Sequence, residues 1–286
     1  MAGDYIEVEV ETAGEGFIRP SPVWSDADLR DLQLARHLLE HPGLAPRLAE
    51  LIGGPIERGI RRLPAGWREG LQGVSKKSLM SALEVASTTM KEGHAGPAAD
   101  LAHQLAVGLT GGVGGLFGLA SIAWELPLST TLMLRSMLDV ARSEGHSVQD
   151  LRTRISCLEV FAFGGRSGAD DGAESGYWAV RAGLATMVTD AAAYIAQNGI
   201  KTRSAPVLAK LIAAISGRFG VIVSEQVAAK AVPLIGAAAG SAINVMFIQH
   251  FQEMARGHFI IRRLEKKHPP EEVEAAYKSM TFGRPR

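Results

Sequence analysis

The sequence of 286 residues has one cysteine, no excess charge of either sign and few aromatic side chains. Cys157 alone cannot form a disulfide within the chain, and the first residues lack the basic and apolar regions of a secretory signal. Lysine plus arginine and aspartate plus glutamate number 30 each, so no overall field attracts the protein to nucleic acid. We therefore expect a cytoplasmic protein that binds no nucleic acid.

Apolar residues and glycine are what the sequence has in quantity. Apolar residues make up 47% of the chain, which is enough for a large buried core. The 32 glycines cluster in the most apolar stretches. Ordinary soluble helices avoid glycine, whereas closely packed or membrane-facing helices use small residues to approach one another. The composition therefore indicates a globular protein whose helices are closely packed or face a membrane.

Apolar residues recur at helical spacing through most of the chain. Ser25 and Asp28 have the spacing of a capping box, which begins the first helix. Only residues 5–11 alternate like a strand, and because no partner strand follows, we expect residues 1–22 to form a flexible N-terminal arm. The predicted fold is all-α, a single multi-helix bundle over residues 23–286 with central hairpins rich in glycine and alanine. The longer predicted helical stretches are 67–90, 128–145, 150–165, 170–199 and 204–230.

Two segments carry no formal charge, residues 101–124 and residues 231–252. The first is long enough to cross the ~30 Å core of a bilayer as one helix. Glycines interrupt it, and Asn244 and His250 lie in the second segment, so stable spanning would be costly for both. We expect core helices of a soluble bundle in the resting state, which contact lipid when the hairpins open.

Three arginines, Arg58, Arg61 and Arg62, surround two isoleucines within residues 44–66. Two interpretations are open, a solvated helix face or a basic amphipathic patch that contacts anionic headgroups. In the second case each arginine contributes roughly 1 kcal/mol near an anionic leaflet. This interpretation predicts membrane contact through the three arginines and weaker vesicle binding at high salt.

Five residues are expected to form a buried polar network. Glu125 lies in apolar sequence, and a buried carboxylate needs a cation, which Arg135 or Lys230 could supply. Asp139 lies on the same helical face as Arg135. Asn244 stands alone among alanines and isoleucines, which predicts a hydrogen bond between helices. Both a structural ion network and a catalytic site are consistent with this set.

Carboxylates and imidazoles provide two candidate metal or polar sites. Asp170, Asp171 and Glu174 have a spacing that could bind a hard cation, or they cap a helix and interact with its dipole. His250 and His258 lie on one helical face, but eight residues separate them by about 12 Å, too far to share one ion. No signature of a zinc enzyme, kinase, nucleotide-binding protein or serine hydrolase is present. We expect no cofactor.

Four stretches together resemble a known family. They are ELPLSTTLMLRSMLDVARSEG, CLEVFAFGG, AESGYWAVRAGLA and SEQVAAKAVPLIGAAAGSAINVMFIQHFQEMARGHFIIRRLE. Over about residues 71–277 the chain closely resembles the EcsC family, named for a bacterial protein encoded beside the two subunits of an ABC exporter. The resemblance implies a bacterial intracellular protein, and it provides no catalytic residues to carry over.

Two hypotheses for function follow. The first is a non-enzymatic accessory that is cytoplasmic and peripheral to the inner membrane. Its partners would be an anionic membrane surface or the helices of a membrane protein such as ABC transporter subunits, and a homo-oligomer is compatible with the sequence. The alternative is a soluble hydrolase or metal-dependent enzyme, whose side chains would converge on one cavity. Its candidate residues are Glu125, Asp170, Asp171, Glu174, His250 and His258.

Overall fold

The structure is a computed structural model of an all-α protein, which confirms the predicted fold class. The residues that it describes include ten helices and no strand. The arm and strand expected in residues 1–22 lie outside this part of the chain, as do residues 101–121 of the first charge-free segment. The described ranges are 24–40, 44–51, 53–55, 57–61, 63, 66–88, 122–164, 176–199, 205–231 and 237–280.

The helices begin and end close to the capping and helix-breaking residues of the sequence. Ser25 Oγ accepts a hydrogen bond from the Asp28 backbone N–H at 3.1 Å and donates one to the Asp28 carboxylate at 2.7 Å, so the capping box is confirmed. The helices are α1 (Asp26–Glu40), α2 (Leu44–Leu51), α3 (Glu57–Ile60), α4 (Trp67–Thr88), α5 (Ile122–Ser143), α6 (Leu151–Val160), α7 (Gly176–Asn198), α8 (Pro206–Lys230), α9 (Ala237–Leu264) and α10 (Pro270–Ser279).

Helix α5 starts earlier than its sequence indicates. The pattern predicts a helix that starts after Pro127, whereas α5 begins at Ile122 and contains that proline. Proline removes one backbone hydrogen bond from the second turn, and the helix nevertheless continues through it. The Thr131 hydroxyl donates to the Pro127 carbonyl at 2.9 Å. As a consequence Glu125 lies in the first turn of α5, and the helix determines the direction of its side chain.

Helix α9 is the centre of the bundle, because α1, α2, α5, α6 and α8 all pack against it. Phe251 of α9 is fully buried and its ring centroid lies 5.1 Å from that of Phe161 and 5.8 Å from that of Phe219. Residues 237–252 are the described part of the second charge-free segment. They form the first half of this central helix.

Glycine allows close approach at two helix contacts. A methyl group at Gly257 of α9 would lie 2.6 Å from Leu39 Cγ and 3.0 Å from the Ala35 carbonyl oxygen, so α1 lies directly against α9. A methyl group at Gly59 would collide with the Ala228 backbone carbonyl. The short helix α3 therefore rests on the C-terminal end of α8, where no other residue type would fit without movement.

Candidate functional site

Two clusters of polar side chains lie toward opposite ends of α9. The described members of the buried network are Glu125, Gln226, Lys230 and Asn244. The arginine cavity lies around His258 and residues of α6 and α7. Fourteen residues of α9 separate Asn244 from His258, a distance of about 21 Å along the helix axis. The two clusters are therefore separate sites.

The buried network joins α5, α8 and α9 through one carboxylate. Glu125 Oε1 accepts hydrogen bonds from Lys230 Nζ at 2.6 Å and from Asn244 Nδ2 at 2.8 Å. Gln226 Nε2 donates to Asn244 Oδ1 at 2.8 Å. Burial lowers the pKa of Lys230, and the charge of Glu125 opposes that effect. Since each of the three helices contributes a partner, the network defines their relative register.

Among the described residues, Lys230 and not Arg135 is the cation beside Glu125. Arg135 is exposed, and it lies ten residues along the same helix, about 15 Å from Glu125. Asp139 is buried and pairs with Arg142, with Oδ1 and Nη2 2.6 Å apart. The structure thus corrects the predicted five-residue set, because α5 carries Glu125, Arg135 and Asp139 at different heights along the bundle.

A basic surface lies beside the buried network. Arg58 and Arg61 are both exposed, and they flank Gly59, which contacts the carbonyl of Ala228 two residues before Lys230. Their position places two positive charges at the end of the bundle where α8 terminates. Arg62, the third arginine of the predicted patch, lies outside the described residues.

Helix α8 ends beside these arginines, and part of its apolar surface is not buried. Within the described residues it is the one helix that is long and apolar enough to cross a membrane, a test that core helices of soluble proteins also pass. In its most apolar 18-residue window, 44% of the residues are buried. Ala213, Gly217 and Val221 are exposed at helical spacing along its outer face. The exposed stripe is weakly apolar and lacks large side chains other than Val221.

The arginine cavity, of about 190 Å³, lies between α6, α7 and the C-terminal part of α9. Arg152, Ser156 and Glu159 lie at positions i, i+4 and i+7 of α6, a spacing that places their side chains on one face of the helix. This face lies opposite His258 and Arg262, which are four residues apart on α9. The polar side chains that line the cavity include Arg152, Ser156, Glu159, Arg181, His258 and Arg262.

A histidine and a glutamate line the inner part of the cavity, and a buried tyrosine lies behind the histidine. The Tyr177 hydroxyl lies 2.9 Å from His258 Nδ1, and His258 Nε2 lies 3.9 Å from Glu159 Oε2. Burial raises the pKa of Glu159 to about 7, although Arg181 and Arg262 oppose the shift. Burial also lowers the pKa of His258 well below its usual value, so the imidazole is neutral.

Arginines provide the positive charge of the cavity. Arg181 forms two 2.6 Å hydrogen bonds to the carboxylate of Glu265, and Arg262 Nη1 contacts Ser156 Oγ. Arg152 is exposed at the rim, and within the described part of the chain its guanidinium has no hydrogen-bond partner. The arginines exceed the carboxylates in number, and the excess grows when Glu159 is protonated.

The described residues of the alternative enzyme site do not converge. His250 is fully enclosed against Gly164 and the backbone of Phe163, and burial lowers its pKa to about 4. It lies eight residues from His258 on α9, and Glu125 belongs to the buried network. Within the described ranges no three histidine, cysteine, aspartate or glutamate side chains are placed to hold one metal ion. Asp170, Asp171 and Glu174 lie outside those ranges.

The sequence contained a signal for the arginine cavity that the predictions did not use. Glu159 lies in the apolar stretch CLEVFAF, the same kind of context that drew attention to Glu125. His258 and Arg262 are four residues apart on α9, and Tyr177 and Arg181 are four apart on α7. What no single helix reveals is that these faces meet, because that depends on packing between helices distant in sequence.

The comparison with family models identifies the chain's relatives. The model of the EcsC protein family matches residues 33–264. No curated protein and no solved structure matches the chain significantly. The family match begins at residue 33, earlier than the resemblance from about residue 71. It therefore includes just over half of α1, which packs along the central helix α9. Since the match covers most of the described bundle, from α1 to the end of α9, the chain belongs to the EcsC family.

Proposed function

We propose that the protein is a peripheral membrane protein without enzymatic activity, which binds the anionic cytoplasmic surface of the inner membrane through the end of the bundle that carries Arg58 and Arg61. The observation that supports this proposal is the position of the two exposed arginines against the C-terminal end of α8. Basic side chains beside apolar surface are typical of proteins that bind at a membrane interface.

The connectivity of the chain supports the same orientation. Residues 89–121 connect α4 to α5, and residues 232–236 connect α8 to α9, so both connections begin or end next to the buried network. The first of them contains most of the charge-free segment, and the second continues the apolar sequence of α8. The described helix ends that these sequences join, the start of α5 and the end of α8, therefore lie at the end of the bundle that carries the two exposed arginines.

Electrostatic attraction alone gives weak and reversible binding. Two arginines contribute roughly 2 kcal/mol near an anionic leaflet, and salt screens this attraction. Peripheral association is therefore expected to be partial, to require anionic lipid and to need no detergent. The dispersal of Glu125, His250 and His258 supports a binding protein over the alternative hydrolase or metal-dependent enzyme.

Co-sedimentation of the purified chain with lipid vesicles tests the proposal. We expect binding to vesicles rich in phosphatidylglycerol, little binding to phosphatidylcholine vesicles, and a smaller bound fraction when salt rises from about 0.1 M to about 1 M. R58E/R61E should bind less than the unaltered chain. R30E/R135E is a matched control, since it makes the same change in charge at exposed arginines on α1 and α5.

Four outcomes would contradict the proposal in different ways. Equal binding to neutral and anionic vesicles would remove its electrostatic basis, as would an equal loss in R30E/R135E. Binding only to vesicles that contain membrane protein would favour the helices of a protein partner, such as transporter subunits. Resistance of the cellular protein to a carbonate wash would mean that the chain spans the bilayer.

A further inference from the structure

The arginine cavity contains an unsatisfied donor that points to a ligand. Within the described part of the chain, the buried Tyr177 hydroxyl has His258 Nδ1 as its hydrogen-bond partner and no other acceptor. Tyr177 therefore donates its proton to Nδ1, and a neutral imidazole then carries its own proton on Nε2. His258 Nε2 is fully buried and has no hydrogen-bond partner. His258 also lines the cavity, so its N–H lacks an acceptor at a site where a ligand could supply one.

The charges around this donor favour an anionic acceptor. Arg152, Arg181 and Arg262 line the cavity on three helices or their ends. Arg181 is already held by Glu265 through two hydrogen bonds, whereas Arg152 is unpaired and Arg262 uses Nη1 on Ser156. The planar guanidinium group donates paired hydrogen bonds to phosphate and carboxylate oxygens. Two arginines thus have donors to offer a ligand.

We propose that the arginine cavity binds a small, water-soluble tetrahedral oxyanion, such as the phosphate group of a metabolite, between Arg152, Arg262 and the Nε2 atom of His258. The cavity volume of about 190 Å³ corresponds to roughly six water-sized groups, since a water occupies about 30 Å³ in the liquid. A phosphate with a small organic substituent fits that volume.

Glu159 makes the binding depend on pH. An ionised Glu159 would repel an oxyanion beside His258, and a protonated Glu159 would offer it a further hydrogen bond. Because the pKa of Glu159 is about 7, raised chiefly by burial, the carboxyl changes state near neutral pH. Binding of an anion of constant charge should tighten as the pH falls through 7.

The other groups around Glu159 do not produce this dependence. The charges that shift the pKa of Glu159 are those of Arg181 on α7 and of Arg262 and Glu265 at the end of α9. Tyr177 and His258 are its remaining titratable neighbours, and burial shifts the pKa of each so that it stays neutral at this pH. Helices α4 and α5 also pack on α6, and among the described residues they contribute no charge that shifts the pKa of Glu159.

Isothermal titration calorimetry with sodium sulfate tests the site, because sulfate is tetrahedral and keeps two negative charges across this pH range. Sodium chloride at equal ionic strength is the blank. We expect saturable binding of one sulfate per chain, about tenfold tighter near pH 6 than near pH 8. E159Q should bind sulfate with the same affinity at both pH values, because it lacks the titrating group.

Exposed arginines provide variants that preserve the fold. Arg152 is exposed and unpaired, so R152Q should fold normally and bind sulfate about tenfold more weakly, the effect of losing one charge-assisted contact. R262Q should have a larger effect, and R152Q remains decisive if R262Q does not fold. R135Q removes the same charge from an exposed position on α5 and should bind like the unaltered chain.

Several results would overturn the proposal. Absence of saturable sulfate binding near pH 6, or equal weakening in R152Q and R135Q, would exclude the site. A pH dependence that persists in E159Q would exclude the role of Glu159. If R152Q instead loses binding to vesicles that contain phosphatidic acid and sulfate does not bind, the source of the phosphate is a lipid headgroup and the water-soluble ligand is wrong.

Discussion

Glu125 and Glu159 lie at opposite ends of the bundle and are equally buried, each with 4% of its surface exposed, yet their surroundings differ. Glu125 accepts two hydrogen bonds from a lysine and an asparagine, and the surrounding groups satisfy one another. Glu159 accepts no hydrogen bond within the described part of the chain, and arginines surround it across a cavity. Burial is therefore the same at the two carboxylates, and hydrogen bonding is not.

This difference separates a structural carboxylate from one that is available to a ligand. At the buried network, the paired charges hold three helices together. Their hydrogen bonds are made within the folded protein, so they have none to offer a ligand. At the arginine cavity, a carboxyl and an imidazole N–H retain hydrogen-bonding capacity that only a ligand or water can satisfy. Substitutions at the two ends should therefore have opposite effects on stability.

The largest expected effect is at the network end. Glu125→Ala should lower the free energy of unfolding by about 3–5 kcal/mol, because Lys230 is left as an unpaired buried charge. Urea denaturation at neutral pH measures the change. The double variant E125A/K230M should recover part of the loss, since it removes the stranded charge. An unchanged stability in E125A would contradict the structural role of the network.

Glu159→Gln should have the opposite sign. The folded pKa of about 7 lies above the unfolded value of about 4.3, so the stabilising effect of protonated Glu159 is complete below about pH 4 and is lost as the pH rises through 7. At about 1.4 kcal/mol per unit of pKa shift, E159Q should be more stable than the unaltered chain by about 4 kcal/mol near pH 8 and by little near pH 4.

The difference between the two unfolding curves isolates this effect. His146 and His250 are buried and neutral with pKa values of about 4, below the unfolded value of about 6.5. Both proteins therefore lose stability as the pH falls from 6.5 to 4, because the unfolded chains take up protons first. If the difference in free energy of unfolding between E159Q and the unaltered chain does not grow with pH, Glu159 does not titrate as proposed.

A smaller effect is expected from Asn244, a neutral member of the network. Asn244→Ala should lower the free energy of unfolding by about 1–3 kcal/mol, because Gln226 loses its acceptor and Glu125 loses one donor. Asn198→Ala is the matched control, since that amide is exposed on α7 and its loss should cost less than about 0.5 kcal/mol. Equal losses in the two variants would show that the network adds no stability.

The smallest effects on stability are expected at the exposed arginines. R58E/R61E and R152Q should each change the free energy of unfolding by no more than about 0.5 kcal/mol, because the three side chains are exposed. The first variant should lose vesicle binding and keep sulfate binding, and the second should do the reverse. Loss of both kinds of binding in either variant would contradict the separation of the two ends.

Periodicity and punctuation were sufficient to predict the fold class and most helix positions. The capping box at Ser25 and the helical spacing of apolar residues depend on local geometry, which neighbouring residues in the chain determine. The start of α5 does not follow from the sequence, because a proline such as Pro127 usually lies at a helix end. Contacts of α5 with α4 and α9 outweigh the one backbone hydrogen bond that is lost.

The candidate sites were predictable only in part. Glu125 and Asn244 were recognised as polar residues in apolar sequence, and that context by itself determined that they must find partners. Tertiary structure decided that Lys230 and not Arg135 is the cation, because the contact depends on which helices meet at one height of the bundle. It also decided that Glu159 faces arginines and an open cavity, since those charges come from helices that the chain brings together only on folding.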